Sequence, residues 1–220
     1  MLDAAKTLLL MLSALFPIVN PLGGSPVFLS QTTGYTADTR RRLAQKVAFN
    51  SFFVLVGSYF IGSYILAFFG ISLPVVQVGG GLIVISTGWS MLKQGAGDER
   101  RELYQAMEAQ GVYGRAFYPL TLPLTTGPGS ISVAITLGAN AAHQRPVHFL
   151  AMAAAVIASV LIAVSVYLCY AFADRLARVL GSNGMSVLQR LSSFLLVCIG
   201  VQILWNGASS LLKSLPPNLR

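Results

Sequence analysis

Two segments of this chain place helix-breaking residues next to side chains that can bind a small polar solute. The first segment, 20–26, holds two prolines and two glycines inside a long apolar stretch. The second, 125–130, reads Thr-Thr-Gly-Pro-Gly-Ser. Inside a helix, proline costs about 3 kcal/mol and glycine about 1 kcal/mol relative to alanine. Each segment is therefore expected to unwind a helix.

Unwound backbone at membrane depth is tolerated only where protein buries it or where it lines a wet cavity. A half-helix that restarts after each break would point its free N–H groups and its positive dipole end into the membrane. We expect these restarts at Ser25, with Pro26 in the first turn, and near Ser130. The predicted substrate-binding residues are Asn20, Pro21, Gly23, Gly24, Ser25, Thr125, Thr126, Gly127, Pro128, Gly129 and Ser130.

The chemistry of such a site suits a zwitterion. Half-helix N-termini bind a carboxylate, while Asn20, Thr125, Thr126 and exposed carbonyls accept an ammonium group or a coupling cation. The alternative is a pair of packing kinks, in which glycine and serine let helices approach closely.

Carboxylates are missing where a proton relay would need them. Asp38 is the only acid between residues 4 and 97, and Asp174 is the only one after Glu108. Both are expected in turns or at span ends, whereas proton relays place acids within the membrane. A neutral substrate therefore fits this region. We also expect no cofactor and no metal site. Sodium coupling or uncoupled transport suits these residues better than proton coupling.

Catalysis is not expected. Cys169 and Cys198 lie in adjacent apolar runs without a repeat-related partner, and His143 and His148 flank an external turn. Neither histidine lies within a span where it could activate a serine nucleophile. The sequence therefore predicts a protein that is not an enzyme.

The composition indicates the environment that must hold these segments. Apolar residues make up 55% of the 220 residues, charged residues 10%, and mean hydropathy is +0.68. Soluble domains carry about 25% charged residues. The basic residues lie between apolar runs rather than in a patch, which argues against nucleic-acid binding. The prediction is an all-α membrane protein whose partners are a small solute and membrane lipid, and assembly with further copies of the chain is left open.

Six apolar runs are long enough to span a membrane, since a spanning helix needs about 20 residues. They cover residues 4–30, 43–69, 73–92, 117–139, 149–172 and 191–212. Eleven of the fifteen Lys and Arg residues fall at the first, third and fifth connections or at adjacent span ends. The positive-inside rule places those connections in the cytoplasm and both termini outside it.

The two halves of the chain are similar. Pro17 and Pro123 precede the two breaks and are 106 residues apart, and Gln77 and Gln189 begin a weaker match at a spacing of 112. We interpret residues 1–93 and 117–220 as two three-helix repeats joined by a cytoplasmic linker, 94–116. Because three is odd, the repeats must be inverted, with helices 1 and 4 broken in mid-membrane. Inverted repeats are typical of secondary transporters.

Segments 16–23, 69–74, 79–83, 123–129 and 190–202 resemble the MarC family of bacterial inner-membrane proteins. The resemblance covers nearly the whole chain. It implies a six-span fold related to the LysE-type exporters and a role in transporting small neutral amino acids.

The function predicted from residues and resemblance together is a secondary transporter. It would move glycine or alanine across the inner membrane by alternating access at a midplane site. The alternative is a channel or facilitator with paired half-helices.

Overall fold

The computed structural model describes residues 2–93, 114–143 and 148–214, and within these ranges it contains no strand. A 3-10 turn (Gly114–Ala116) and a π-helical segment (Phe117–Thr125) join the α-helices. In the described part of the chain, the α-helices are α1 (Leu2–Val19), α2 (Pro21–Gln31), α3 (Ala37–Phe68), α4 (Leu73–Lys93), α5 (Pro128–His143), α6 (His148–Ala171) and α7 (Ala173–Lys213).

Five helical stretches are long and apolar enough to cross a membrane. They cover Ala5–Gln31, Ala37–Phe68, Leu73–Lys93, Phe149–Ala171 and Asn183–Lys213. A sixth arises if the bent pair Gly114–Thr125 and Pro128–Ala141 counts as one span. The prediction of an all-helical membrane protein is confirmed, and the described residues provide five or six spans.

Local sequence signals account for the ends of α3. Thr36 caps its N-terminus by accepting the N–H of Thr39 at 3.3 Å, and Asp38 lies in the first turn, where a negative charge favours the helix dipole. After the helix, Gly70 adopts a φ of 66°. Glycine takes this left-handed conformation without a Cβ penalty, so the chain turns directly into α4.

The last span begins earlier than its apolar run suggested. Gly181 has a φ of 66° and interrupts α7, after which the spanning part starts at Asn183 instead of the predicted residue 191. Residues 183–190 mix polar and apolar side chains but contain no proline, so they continue the helix.

Several extensive contacts between helices hold the fold together. The most extensive pair is α4 with α7, and α3 packs against both α5 and α6. In addition, α1 lies on α6, α2 lies on α7, and α4 lies on α5. The buried core at the α1–α3–α6 junction contains Leu15, Leu43, Leu55, Ile162 and Val166. Exposed side chains such as Phe68 and Phe149 face outward, as expected of a lipid-contacting surface.

Glycines bring α4 and α7 into backbone contact. A Cβ placed on Gly81 would lie 2.6 Å from the backbone nitrogen of Leu204, and one on Gly200 would lie 2.7 Å from that of Ile85. Small residues permit this approach between membrane helices. Most of the predicted linker 94–116 lies outside the described residues, which include only its last three positions as the 3-10 turn.

Candidate functional site

The first interruption is confined to one residue. Asn20 adopts left-handed backbone angles, φ 47° and ψ 58°, between α1 and α2. Its Oδ1 accepts the N–H of Gly23 at 3.1 Å, which makes Asn20 the N-cap of α2 and Pro21 the first helical residue. The Asn20 N–H donates to Phe16 O, and the Gly24 N–H donates to Asn20 O, both at 2.9 Å. The helical hydrogen bonding therefore crosses the interruption.

The predicted restart at Ser25 is wrong. Ser25 lies inside α2, where its hydroxyl donates to Leu22 O at 2.8 Å. Asparagine visits the left-handed region more readily than most residues, so one residue suffices to end α1 and cap α2. As a result, α1 and α2 together still count as one span, and the interruption is smaller than expected.

The second interruption is larger. Tyr118 and Leu122 have extended backbone inside the π-helical segment, and the helices on either side of the break differ in direction by 71°. The next helix, α5, begins at Pro128, two residues before the restart predicted near Ser130. Proline suits a first helical position because it lacks an N–H that would be unpaired there. The Ser130 hydroxyl donates back to Gly127 O at 2.8 Å.

Both interruptions border one cavity of about 120 Å³, here named the central cavity. The predicted residues that line it are Asn20, Gly24, Thr125, Gly127, Pro128, Gly129 and Ser130. The remaining lining comes from Ile18, Val19, Ile83, Val84, Thr87, Met91, Pro123, Leu124 and Leu196. Four predicted residues, Pro21, Gly23, Ser25 and Thr126, are buried but do not line the cavity.

Two buried polar atoms at the interruptions have no hydrogen-bond partner among the described residues. They are Asn20 Nδ2 and Thr126 Oγ1, at matching places in the two halves of the sequence. Leaving such a group unsatisfied costs about 1 to 3 kcal/mol. The described lining of the cavity contains hydroxyl and amide groups but no charged side chain. This environment suits an uncharged or zwitterionic solute.

Tyr170 joins the two interruptions, and the sequence analysis missed it. Its hydroxyl lies 2.9 Å from the Thr125 hydroxyl, and a Cβ on Gly24 would lie 2.6 Å from it. The Tyr170 ring stacks on Phe28 of α2, with centroids 4.4 Å apart. A tyrosine inside an apolar run was the available signal, because a buried phenol needs a hydrogen-bond partner.

A partly buried ion pair lies beyond the C-terminal end of α2. Arg40 pairs with Asp174, and its guanidinium also donates to Thr32 Oγ1 at 3.0 Å and to Thr32 O at 3.1 Å. The Arg40 side chain is 10% exposed and that of Asp174 43% exposed. Sequence reasoning had counted Arg40 only among the basic residues that set topology, and had considered Asp174 only as an acid at a span end. These contacts hold the end of α2 against the start of α3 and the start of α7.

The described residues contain no group of three or more histidine, cysteine or acidic side chains that could hold a metal ion. The polar atoms around the central cavity are instead amides, hydroxyls and backbone carbonyls. Such oxygens can coordinate an alkali cation, whereas transition metals favour sulfur and imidazole ligands.

These features define a polytopic helical membrane protein with a small uncharged cavity between two helix interruptions. Its sequence matches the MarC family of integral membrane proteins over residues 5–212, and the chain belongs to that family.

The chain is also similar to curated proteins over nearly its full length. It is 30% identical to the UPF0056 inner membrane protein MarC of Salmonella typhimurium, across 97% of this chain and 99% of that protein. It is 31% identical to the protein of the same name from Escherichia coli strain UTI89, with the same coverage. No solved structure matches the chain.

Proposed function

We propose that this protein is a secondary transporter that moves small neutral amino acids such as glycine or alanine across the bacterial inner membrane. The observation that carries the proposal is the central cavity, where unpaired Asn20 Nδ2 and Thr126 Oγ1 accompany a lining without charge. The family and the names of its relatives support a location in the inner membrane.

The size of the cavity favours a small solute. Its volume of about 120 Å³ is several times the space that one water molecule needs. Pockets for drug-sized ligands span about 300 to 1,000 Å³. The cavity therefore suits a molecule of a few non-hydrogen atoms and excludes a bulky antibiotic in this conformation.

The two interruptions offer different groups to a zwitterion. The first turn of α5 borders the cavity through Pro128, Gly129 and Ser130, so its unbonded N–H groups and dipole suit the carboxylate. Asn20 already uses Oδ1 to cap α2, which leaves its Nδ2 to donate to the same carboxylate or to a carbonyl. The hydroxyl oxygen of Thr125, which lines the cavity, suits the ammonium group.

An inverted repeat is part of this proposal, and the helix packing supports it. Exchanging α1–α2 with the π-helical segment and α5, α3 with α6, and α4 with α7 converts the most extensive helix contacts into one another or into themselves. For example, the α2–α7 contact becomes the α5–α4 contact. The pairs α3–α6 and α4–α7 are converted into themselves.

Individual contacts follow the same exchange. Gly81 approaches Gly200, and the residues 112 positions away from them, Ser193 and Gly88, also approach each other. Gly23 closely approaches Ser192, and the equivalent pair Gly129 and Gly80 is in contact as well. A two-fold axis in the membrane plane would produce both correspondences. Rocking of one repeat against the other would then expose the cavity to each side in turn.

We propose sodium coupling or uncoupled exchange in preference to proton coupling. No carboxylate lines the described part of the cavity, whereas Thr125, Ser130 and backbone carbonyls offer the oxygen ligands that hard cations prefer. A sodium ion near the interruptions would also satisfy the Thr126 hydroxyl oxygen.

Counterflow in proteoliposomes tests the proposal. Vesicles loaded with unlabelled alanine should accumulate labelled alanine saturably, and Asn20→Ala or Thr126→Val should abolish this exchange per folded molecule. Thr33→Val, at an exposed residue, is the matched control. Folded, reconstituted protein that exchanges neither glycine nor alanine would refute the substrate class. Flux that never saturates would refute a carrier and indicate a channel, and the effect of a sodium gradient decides the coupling.

A further inference from the structure

A second cavity lies on the side of the membrane where α1 begins and α7 ends. Its volume is about 260 Å³, and four helices form it: α1, α4, α5 and α7. We name it the terminus-side cavity. Its lining residues are Ser13, Ala14, Pro17, Ile18, Gln77, Val133, Thr136, Leu137, Ile199, Gln202, Ile203 and Asn206.

The polar groups in this lining are uncharged and come from all four helices. Three carboxamides, Gln77, Gln202 and Asn206, accompany the hydroxyls of Ser13 and Thr136. Carboxamides within a membrane usually form hydrogen bonds between helices. These three use only part of their hydrogen-bonding capacity in that way. Gln77 Nε2 donates to Thr136 Oγ1 at 3.4 Å, and Gln202 Nε2 donates to Asn206 Oδ1 at 2.9 Å.

These two bonds leave much hydrogen-bonding capacity in the cavity. Each carboxamide has two N–H donors and an oxygen with two lone pairs, so one bond uses a small part of it. The groups can therefore offer donors to a carboxylate and acceptors to an ammonium at the same time. Among the described lining residues no lysine or arginine is present to hold a phosphate, which disfavours a lipid headgroup.

The terminus-side cavity is next to the central cavity. Ile18 lines both, and Pro17 and Ile18 immediately precede the interruption at Asn20. A solute in the terminus-side cavity would thus be separated from the central cavity by the last turn of α1.

The repeat explains two of the three carboxamides, because at a spacing of 112 residues Gln77 matches Gln189 and Asn206 matches Gln94. The position equivalent to Gln202 in the first half is Ser90, at a spacing of 112 residues, and Ser90 lines neither cavity. The equivalent of Ile203 is Met91, which lines the central cavity with an apolar side chain. Gln202 is therefore the one carboxamide of this lining that the repeat does not supply.

We propose that the terminus-side cavity is a second binding site for small zwitterions, distinct from the central cavity. The location rests on this geometry, whereas the choice of alanine as its ligand rests on the function proposed above. A solute would bind Gln77, Gln202 and Asn206 before or after it occupies the central cavity.

Protection of an introduced thiol tests the site in the purified full-length protein. In a Cys169→Ala, Cys198→Ala background, Gln202→Cys should react with a methanethiosulfonate cation, and alanine should slow that reaction several-fold. Arginine, which is charged, should not protect. Ser210→Cys, on the same helix but outside the cavity, should react equally with and without alanine. Ile199→Cys, at an apolar residue of the same lining, is the second reporter, because it leaves all three carboxamides in place.

A further variant separates this site from the central cavity. Protection of Gln202→Cys should persist when Asn20→Ala disables the central cavity. Loss of protection in that double variant, or no protection in any reporter, would overturn the second site. Protection in a protein that shows no counterflow would support the second site while refuting the proposed transport.

Discussion

The hydroxyl oxygen of Tyr170 lies 2.9 Å from that of Thr125, so α6 is hydrogen-bonded to the end of the π-helical segment. The same phenol lies against the backbone of Gly24, which also lines the central cavity. One fully buried side chain therefore contacts both helix interruptions, and it links the two halves of the chain at the site of the proposed transport.

Removing the Tyr170 hydroxyl should impair both stability and transport. Tyr170→Phe keeps the stacking on Phe28 and deletes the bond to Thr125, which costs about 1 kcal/mol, or roughly fivefold in a conformational equilibrium. We expect a lower Tm and slower alanine counterflow per folded molecule. Tyr167→Phe, a half-buried neighbour on α6, is the control. Equal activity of the two variants would contradict a linking role for Tyr170.

A methyl group on Gly24 should clash with the same phenol. Because the added Cβ would lie 2.6 Å from the Tyr170 oxygen, we expect Gly24→Ala to destabilise the protein by about 1 to 3 kcal/mol. Combining it with Tyr170→Phe should recover part of the loss, which thermal unfolding of the single and double variants would measure. Gly57→Ala is the control, since nothing lies within 4 Å of its added Cβ. Strictly additive losses would show that the two residues do not interact.

Neighbouring glycines on α4 should respond differently to the same substitution. An added Cβ on Gly81 meets the backbone of α7, whereas one on Gly79 meets nothing within 4 Å. Gly81→Ala should therefore separate α4 from α7 and reduce the folded fraction, at a cost of about 1 to 3 kcal/mol. Gly79→Ala should be neutral or slightly stabilising, because alanine favours helix. Folded yield measured by size-exclusion chromatography would distinguish them, and equal yields would refute the close crossing.

Substitution of Arg40 should lower the thermal stability more than substitution of its partner Asp174. Arg40→Gln removes the ion pair and weakens the bonds to Thr32, and hydrogen bonds to charged groups contribute about 1.5 to 3 kcal/mol each. Asp174→Asn removes only a partly exposed partner and should cost less. Arg41→Gln, at the exposed neighbouring position, is the control. Thermal unfolding should rank the losses as Arg40, then Asp174, then Arg41, and the reverse order for the first two would contradict this reading.

The distribution of Lys and Arg predicts that both termini lie outside the cytoplasm. A C-terminal alkaline phosphatase fusion should be active in cells, because that enzyme folds only outside the cytoplasm, and a green fluorescent protein fusion should be dark. A cysteine at exposed Thr33, in the first connection, should resist an impermeant thiol reagent in intact cells and react after lysis. The opposite pattern would invert the predicted orientation.

Sequence reasoning located the parts of the central cavity that the two interruptions form, because helix breakers are local signals. Asn20, Gly24 and the segment 127–130 were found in this way, and they line the cavity. The same reasoning misplaced the restart at Ser25, since it did not anticipate that Asn20 would cap α2 while hydrogen bonding continued past it. Tyr170 and the α4 residues Val84 and Thr87 were missed because their role depends on packing between distant parts of the chain.

The two interruptions occupy equivalent places in the chain but have different shapes. One is a nearly continuous helix with a single left-handed residue, and the other is bent by 71°. If the repeats are inverted copies, exchanging the two shapes between them yields a second conformation of similar energy that faces the opposite side of the membrane. In that conformation, α1 and α2 would be bent relative to each other, and the π-helical segment would continue into α5 without a bend. A spin-label pair on α1 and α2 should then report two distance populations, one of them shorter than this structure gives.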